Sequence, residues 1–343
     1  METIASGQLC LARRTHSFKG TYRSTKPIRK PFGGAASLGE DLVTRLLDRE
    51  IAYDPELAYV CSIVSGWSYA DGQTLLDRMA YYGLPSATVD EIAVLNPALM
   101  IVATAHFVRS ECGRVGILSF RGTEPTNLIN WLTDSDVEPR NFTGTGSVHR
   151  GFYENLQAIW DDISTALVHA VETPSGARAP LQKLYVTGHS LGGAMAVLAA
   201  AKIIRDEPSS VERALAGIYT FGQPAVGDTE FASYYRPRFG DRLYRHEYAF
   251  DLVPRLPPAS TGDFQHFGEV RVAVSASDGW LSSSRAAQQV RVLSVAAVSS
   301  LASFVGRRVK LLARVERVLC KYSLFDDHSP RGYIEASRAT LRA

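Results

Sequence analysis

Residues 183–194 read KLYVTGHSLGGA, an apolar run that ends in a glycine-rich turn. The apolar half predicts a strand, and the alanine-rich residues 194–204 that follow predict a helix. Between them stands Ser190, with Gly188 two positions before it and Gly192 two positions after it. A tight strand-to-helix turn of this kind exposes a serine hydroxyl to a base and places it at a helix N-terminus, which favours developing negative charge. The segment therefore predicts a serine nucleophile.

Predicted strands and helices alternate on both sides of this turn. Short apolar runs predict strands at Met100–Phe107, Val115–Phe120, Leu181–Thr187, Leu215–Phe221 and Arg242–Ala249. Apolar residues at helical spacing predict helices at Leu38–Arg49, Pro55–Ser65, Gly151–Glu172 and Ala194–Ile204. This alternation predicts an α/β fold with a mostly parallel central sheet and helices on both faces, in one domain over residues 37–343.

The composition narrows the classes of function. The chain has 343 residues, of which 45% are hydrophobic and 21% charged, and its formal net charge of +2 gives no reason to expect a nucleic-acid partner. Its four cysteines, Cys10, Cys61, Cys112 and Cys320, are too far apart for a zinc-ligand spacing and do not suggest a disulfide framework. We expect no metal and no cofactor.

The first 36 residues differ from the rest of the chain. They contain seven Lys and Arg residues but a single acid, Glu2. We expect a disordered basic tail, and the alternative is an organelle transit peptide, which is also Arg-rich and poor in acids. The sequence contains neither a signal-peptide core nor an apolar run of bilayer length. The expected location is therefore intracellular, either cytoplasmic or at a membrane surface.

A serine nucleophile needs a general base, and three histidines follow Ser190 in the sequence. His246 falls inside a predicted strand, and His266 stands between two phenylalanines, where it is typical of a packed or loop-pinning residue. His328 comes last, in the loop-like stretch FDDHSP. Because the order in such folds is serine, acid and then histidine, His328 is the preferred base.

An acid that orients this base is expected between the two. Asp251 directly follows a predicted strand, and acids at strand ends point towards the catalytic edge of a sheet. Asp228 and Asp263 compete for the role, but both lie in glycine-flanked turns, where aspartate is common for local reasons.

Several segments together resemble the class 3 (fungal-type) lipase family of the α/β-hydrolase superfamily. The matching segments are FRGT (120–123), NWLTD (130–134), VHRGFY (148–153), VTGHSLGG (186–193), TFGQPAVGD (220–228), DLVPRLP (251–257) and DH (327–328). They follow the family's order and are jointly far more specific than the serine motif alone. The resemblance implies an α/β-hydrolase fold and a catalytic triad of Ser190, Asp251 and His328.

The resemblance also implies roles beyond the triad. Thr123, which follows Arg-Gly, would supply one oxyanion-hole donor, and the backbone N–H of Leu191 would supply the second. The residues after Thr123 would form a lid in which Leu128, Ile129 and Trp131 cover the substrate pocket. Ordinary core packing of these apolar residues is the alternative, because periodicity alone does not separate the two.

Two features depart from the family pattern or extend it. The family usually places an aromatic residue about three positions after its histidine, but here the first is Tyr333, five positions after His328. Residues 293–321 predict a long helix with a basic stripe, inserted between acid and base. That helix either packs on the sheet with a solvated basic face or lies on an anionic membrane surface.

The expected function is that of a serine hydrolase that cleaves carboxylic esters of lipids through an acyl-enzyme, in the manner of a triacylglycerol lipase. A soluble carboxylesterase or phospholipase A1 would use the same residues. A peptidase or thioesterase, and a non-catalytic interaction protein on the same fold, are more distant alternatives. The expected partner is a lipid ester at a lipid interface or a peripheral membrane surface, with neither a nucleic acid nor an obligate protein partner.

Overall fold

The computed structural model of this chain describes residues 17–23, 42–48, 52–82, 87–96, 101–123, 139–172, 178–257, 262–282 and 326–342. The predicted lid residues Leu128, Ile129 and Trp131 lie outside these ranges, and so does the predicted basic helix at 293–321.

Within these ranges the strands fall into two sheets. In chain order the strands are β1 (Ser17–Arg23), β2 (Thr88–Asn96), β3 (Ile101–Arg109), β4 (Val115–Phe120), β5 (Pro139–Asn141), β6 (Ser147–His149), β7 (Lys183–His189), β8 (Leu215–Phe221), β9 (Gly227–Asp228), β10 (Leu243–Tyr248), β11 (Phe264–Gln265), β12 (Glu269–Ala273) and β13 (Leu281–Ser282). The main sheet has nine strands in the order β1-β2-β3-β4-β7-β8-β10-β12-β13, and a small sheet has the order β11-β9-β6-β5.

The centre of the main sheet is parallel, as predicted. β4 pairs with β7, β7 with β8, β8 with β10 and β10 with β12, all in parallel register. The flanking strands β1, β2 and β3 on one side and β13 on the other pair antiparallel. Every residue of β4 and of β8 is buried, which explains why both read as continuous apolar runs without alternation. The C-terminal ends of the parallel strands therefore meet at one edge of the sheet.

Helices cover both faces of this sheet, which confirms the predicted α/β architecture. They are α1 (Leu42–Asp48), α2 (Pro55–Trp67), α3 (Gly72–Tyr81), α4 (Arg150–Glu172), α5 (Leu191–Asp206), α6 (Ser209–Ala214), α7 (Thr229–Phe239) and α8 (Pro330–Thr340). One buried cluster joins α4, α5 and α7 to the sheet, and a second joins α1, α2, α3 and α8 to its opposite face. In the part of the chain that the structure describes, none of the helices combines the length and apolar character needed to cross a bilayer.

The helix after the nucleophile begins earlier than the sequence suggests. The alanine-rich pattern predicts a start at Ala194, whereas α5 begins at Leu191, directly after Ser190. Backbone N–H groups of Gly193 and Ala194 already donate to the Ser190 carbonyl, so the glycine pair belongs to the first helical turn. The nucleophile therefore occupies the N-cap position of α5.

The structure also differs from the expected disordered tail over Ser17–Arg23. This stretch forms β1 and pairs antiparallel with the whole of β2, from Ser17 opposite Val94 to Arg23 opposite Thr88. Without β1, β2 would be an edge strand with a row of unpaired backbone groups, and Phe, Thr and Tyr in the stretch are good strand formers. The other residues of the predicted tail, 1–16 and 24–36, lie outside the described ranges.

Candidate active site

Ser190 lies in a strained turn between β7 and α5. Its backbone has φ 60° and ψ −130°, a conformation that costs a non-glycine residue about 1–3 kcal/mol. The two flanking glycines permit it, because a Cβ atom on Gly188 would collide with the backbone of Gly192, and one on Gly192 would collide with the Phe120 carbonyl. The spacing recognised in the sequence therefore has a steric cause.

The turn is buried and tied to the neighbouring strand. Ser190 has no exposed surface, and its backbone N–H donates to the Phe221 carbonyl at the end of β8 over 2.9 Å. Leu191 opens α5, so its N–H is among the first four of the helix, which have no partner within the helix. The Ser190 hydroxyl forms no hydrogen bond with any described residue.

Asp251 follows β10 and accepts hydrogen bonds from three donors. The Val253 backbone N–H donates to Oδ1 over 2.9 Å. His328 Nδ1 lies 2.7 Å from Oδ2, and the Tyr333 hydroxyl lies 2.5 Å from the same oxygen. The carboxylate is only 4% exposed, so these bonds replace the water that it would otherwise hold.

His328 lies on a short 3-10 turn, residues 326–328, immediately before α8. A carboxylate only accepts, so Nδ1 of His328 carries a hydrogen and donates it to Asp251. The ring is 1% exposed, and Nε2 has no hydrogen-bond partner among the described residues. The Nε2 edge of the ring is thus the part of His328 that is not engaged by a described residue.

The end of β8 brings this pair next to the nucleophile. Gly222 follows Phe221, whose carbonyl accepts the Ser190 N–H. A Cβ atom on Gly222 would lie 2.8 Å from Asp251 Oδ2 and 3.0 Å from His328 Cε1, so the Asp–His pair packs directly on this glycine. The structure therefore brings the three predicted triad residues together at one sheet edge.

Thr123 lies at the same edge, three residues after the end of β4 and directly after Gly122. A Cβ atom on Gly122 would lie 2.7 Å from the His189 carbonyl, so the segment that carries Thr123 packs against the nucleophile turn. The Thr123 hydroxyl is buried and has no hydrogen-bond partner among the described residues. A buried donor without a protein partner is suited to an anionic oxygen of a substrate.

Tyr333 is the residue in this cluster to which the sequence assigned no role. Its ring is 1% exposed, and burial together with the Asp251 charge raises the pKa of its hydroxyl well above 10, so it stays a neutral donor. The unusual spacing of this aromatic behind His328 is the signal that could have pointed to it. In the structure α8 starts right after the histidine turn and carries Tyr333 back onto Asp251.

The two other histidines considered as bases make structural contacts. His246 lies on β10, with Nδ1 3.0 Å from the Thr220 carbonyl, and burial lowers its pKa to about 3. His266 Nε2 lies 2.8 Å from the Pro254 carbonyl and thereby pins the loop after Asp251.

The two competing acids likewise have local partners. Asp228 caps α7 by accepting from the Phe231 N–H, and it also accepts from the Ser147 N–H, both over 2.8 Å. Asp263 accepts from the Thr229 hydroxyl over 2.7 Å.

A network of charged side chains fixes the acid loop, which is the segment that follows β10 and contains Asp251. Glu247 on β10 bonds Arg245 over 3.1 Å and Arg255 over 2.7 Å, and Arg255 belongs to the turn that follows Asp251. Burial raises the pKa of Glu247, but the two guanidinium charges outweigh it and lower the pKa below its ordinary value. The network therefore holds the acid loop against the strand from which it leaves. Within the described residues, no group of three or more His, Cys, Asp or Glu side chains is arranged to hold a metal ion.

Several known proteins that this chain resembles are lipases. Residues 117–261 match the model of the class 3 lipase family. A lipase of Rhizomucor miehei is 34% identical over 301 residues, covering 78% of this chain and 77% of that protein. Triacylglycerol lipase OBL1 of Arabidopsis thaliana is 32% identical over 186 residues, which are 44% of this chain but only 36% of the length of OBL1.

The fold has solved counterparts as well. The structure of lipase II from Rhizopus niveus superposes with a TM-score of 0.53 over 66% of this chain and 83% of that one, at 24% identity. At this identity the likeness concerns the fold, which is that of the α/β-hydrolases.

Proposed function

We propose that this chain, which belongs to the class 3 lipase family, hydrolyses carboxylic esters of lipids through an acyl-enzyme on Ser190. The observation that carries the proposal is the buried Asp251–His328 pair at the sheet edge that also holds the strained Ser190. Nε2 of this pair has no hydrogen-bond partner among the described residues. A hydroxyl is a weak nucleophile, and a neighbouring base is the usual means of activating it.

In the first step the Ser190 hydroxyl attacks the ester carbonyl carbon while His328 Nε2 takes its proton. The resulting imidazolium carries its charge 2.7 Å from the Asp251 carboxylate, which stabilises it without taking the proton. Burial of the pair strengthens this attraction, because water does not screen it. His328 then returns the proton to the leaving alcohol.

The carbonyl oxygen becomes an anion in this step, and the proposal assigns two donors to it. The Leu191 N–H opens α5, so the positive end of the helix dipole adds to this donor. The Thr123 hydroxyl is buried without a described partner on the neighbouring loop. Loss of one such donor typically lowers kcat about 100- to 1,000-fold.

Water releases the acyl group in the second half of the reaction. His328 Nε2 accepts a proton from water as the hydroxide attacks the acyl carbonyl, and the same donors hold the second oxyanion. The fatty acid leaves when the bond to Ser190 Oγ breaks, and Oγ takes the proton back from His328.

The lipid substrate is proposed from the relatives. The Arabidopsis relative is named a triacylglycerol lipase, and it matches 44% of this chain. Contact with a lipid interface belongs to the same proposal, because an acylglycerol substrate is itself an aggregated phase.

The proposal is tested with p-nitrophenyl esters of rising acyl length and with a trioleoylglycerol emulsion, below and above the solubility limit of each ester. We expect hydrolysis that increases at the interface and disappears in Ser190→Ala. Ser62→Ala is the matched control, because Ser62 is a buried serine on α2 whose hydroxyl bonds only the Tyr59 carbonyl. Short-chain preference without an interfacial increase would favour a soluble carboxylesterase, and hydrolysis that survives in Ser190→Ala would contradict the proposal.

A further inference from the structure

His189 precedes the nucleophile and contacts the backbone of the proposed base. Its Nε2 lies 2.8 Å from the His328 carbonyl oxygen, and the two imidazole rings lie 4.6 Å apart between centroids. The side chain is 2% exposed, so water does not compete for this hydrogen bond. The last residue of β7 is thus joined directly to the turn that carries His328.

The hydrogen positions on His189 follow from its partners. A carbonyl oxygen only accepts, so Nε2 of His189 carries a hydrogen and donates it to His328. Burial, together with the neighbouring His328, lowers the pKa of His189 well below 6.5, so the ring is neutral and Nδ1 has a lone pair. The Tyr69 hydroxyl lies 2.9 Å from Nδ1 and must therefore be the donor. The hydrogen bonds run in one direction, from Tyr69 through His189 to the His328 carbonyl.

Tyr69 is itself held in place from the sheet. Its neighbour Ser68 is fully buried, and the Ser68 hydroxyl donates to the Val64 carbonyl at the end of α2 over 2.7 Å. The same hydroxyl lies 2.7 Å from the hydroxyl of Ser119 on β4, which therefore acts as the donor to it. The backbone beside Tyr69 is therefore anchored to β4 through Ser68.

The Tyr69 hydroxyl also touches the oxyanion loop. A Cβ atom on Gly122, the residue before Thr123, would collide with this hydroxyl. One phenol therefore contacts the loop that carries the proposed oxyanion donor and the histidine that binds the base turn. Of the segments around the site, three meet at this point: the β4 loop, the nucleophile turn and the His328 turn.

We propose that Tyr69 and His189 are positioning residues that hold the His328 turn in register with Ser190 and the oxyanion loop. The inference rests on the proposed function. Asp251 fixes the His328 ring from the acid side, but it does not set the distance between the base and the nucleophile. The His189 hydrogen bond does this, because His189 is covalently joined to Ser190.

The proposal predicts graded losses in kcat with little change in KM. Tyr69→Phe leaves a buried nitrogen of His189 without a partner, and we expect kcat to fall about 5- to 10-fold. His189→Leu removes the bond to His328 altogether, and we expect a fall of about 100-fold, the effect of a displacement of about 1 Å in an active site. His189→Gln keeps an amide N–H that reaches the same carbonyl, so it should recover most of the rate.

The chain offers a matched control for the loss of a tyrosine–histidine hydrogen bond. The Tyr53 hydroxyl lies 3.3 Å from Nε2 of His246, a buried histidine whose other nitrogen bonds the Thr220 carbonyl. Tyr53→Phe therefore breaks the same kind of contact in a histidine that does not bond the proposed triad. We expect it to lower the melting temperature as Tyr69→Phe does, but to leave kcat unchanged.

The test measures kcat and KM on a soluble ester for the four variants, their melting temperatures, and the downfield NMR signal of the His328 Nδ1 proton. We expect this signal to shift or broaden in Tyr69→Phe and His189→Leu, and to remain in His189→Gln and Tyr53→Phe. Equal kcat in Tyr69→Phe and Tyr53→Phe, or an unchanged signal in folded His189→Leu, would overturn the proposal. The NMR signal does not depend on turnover, so a wild-type protein without esterase activity would contradict the proposed function while the signal still decides the positioning role.

Discussion

Replacing Asp251 with asparagine separates the charge of the acid from its geometry. All three partners of the carboxylate are donors: the Val253 N–H at Oδ1, and His328 and Tyr333 at Oδ2. If the asparagine NH2 replaced Oδ2, it would face two donors, His328 and Tyr333. If it replaced Oδ1, it would face one donor, the Val253 N–H. We therefore expect the amide oxygen to stay towards His328, which preserves the tautomer of the base and removes only the negative charge.

The size of the effect follows from the distance between the charges. His328 Nδ1 lies 2.7 Å from Oδ2, and the charge centres of carboxylate and imidazolium lie about 4 Å apart, which gives about 4 kcal/mol at an effective dielectric constant of about 20. Because this attraction exists only once the imidazolium has formed, its loss acts on kcat and lowers it about 1,000-fold. An asparagine that forced the wrong tautomer of His328 would lower kcat about 10,000-fold.

The assay is kcat and KM on p-nitrophenyl butyrate below its solubility limit, with Asp228→Asn as the matched control. Asp228 also accepts two hydrogen bonds from backbone N–H groups, but it caps α7 and has no contact with His328 in the described structure. We expect Asp228→Asn to lower the melting temperature and leave kcat unchanged. A loss below about 10-fold in Asp251→Asn would refute the assignment of the acid.

Three further predictions concern the stability of the folded chain. Gly188→Ala should yield misfolded or strongly destabilised protein in a thermal unfolding assay, because its Cβ would meet the rigid backbone of Gly192. Gly240→Ala should be tolerated, because its Cβ would approach only side chains, Arg236 at 3.3 Å and Phe267 at 3.7 Å. Glu247→Gln should lower the free energy of unfolding in urea by about 3 kcal/mol, because it leaves the buried Arg245 and the partly buried Arg255 without their compensating charge. Glu335→Gln, which breaks an exposed pair with Arg331, should change the free energy of unfolding far less, and equal losses in the two variants would contradict the argument. Burial lowers the pKa of His246 and His266 to about 3 and that of His106 and His149 to about 4. The unfolded chain takes up protons on these histidines below pH 6.5 while the folded chain does not, so the free energy of unfolding should fall as the pH is lowered from 6.5 towards 4. Equal stability in urea at pH 7 and pH 5 would contradict this.

The centre of the sheet is readable from the sequence because its strands are buried on both faces. Val115–Phe120 and Leu215–Phe221 agree with β4 and β8 at both ends. Gly113, in the turn that joins β3 to β4, has φ 83°, a conformation that glycine adopts without strain. Long-range packing adds little information where local hydrophobicity already determines the strand.

The edges of the sheet and the last helix are not readable in this way. β2, TVDEIAVLN, has the consecutive acids Asp90 and Glu91 near its centre, so its pattern does not alternate regularly. β1 forms because it pairs with β2, which is a tertiary cause. α8, PRGYIEASRAT, has few apolar residues, and its helical structure depends on packing against α2. Local patterns do not contain these contacts.

The triad residues are predictable from the sequence, whereas the tyrosines that contact their neighbours in the site are not. Ser190 stands in a local motif, and Asp251 and His328 follow from their order along the chain and from strand ends. Tyr69 binds a histidine 120 positions away, and Tyr333 binds an aspartate 82 positions away. Neither pairing has a sequence signature, because the fold alone brings the partners together.

The central claim, that Ser190 is a nucleophile activated by His328, is tested most directly by covalent labelling with a fluorophosphonate ester followed by peptide mass spectrometry. The account predicts one label per chain, on the peptide that contains Ser190, with no label in Ser190→Ala and a rate reduced about 1,000-fold or more in His328→Ala. A label on another residue, or a rate that His328→Ala leaves unchanged, would contradict it.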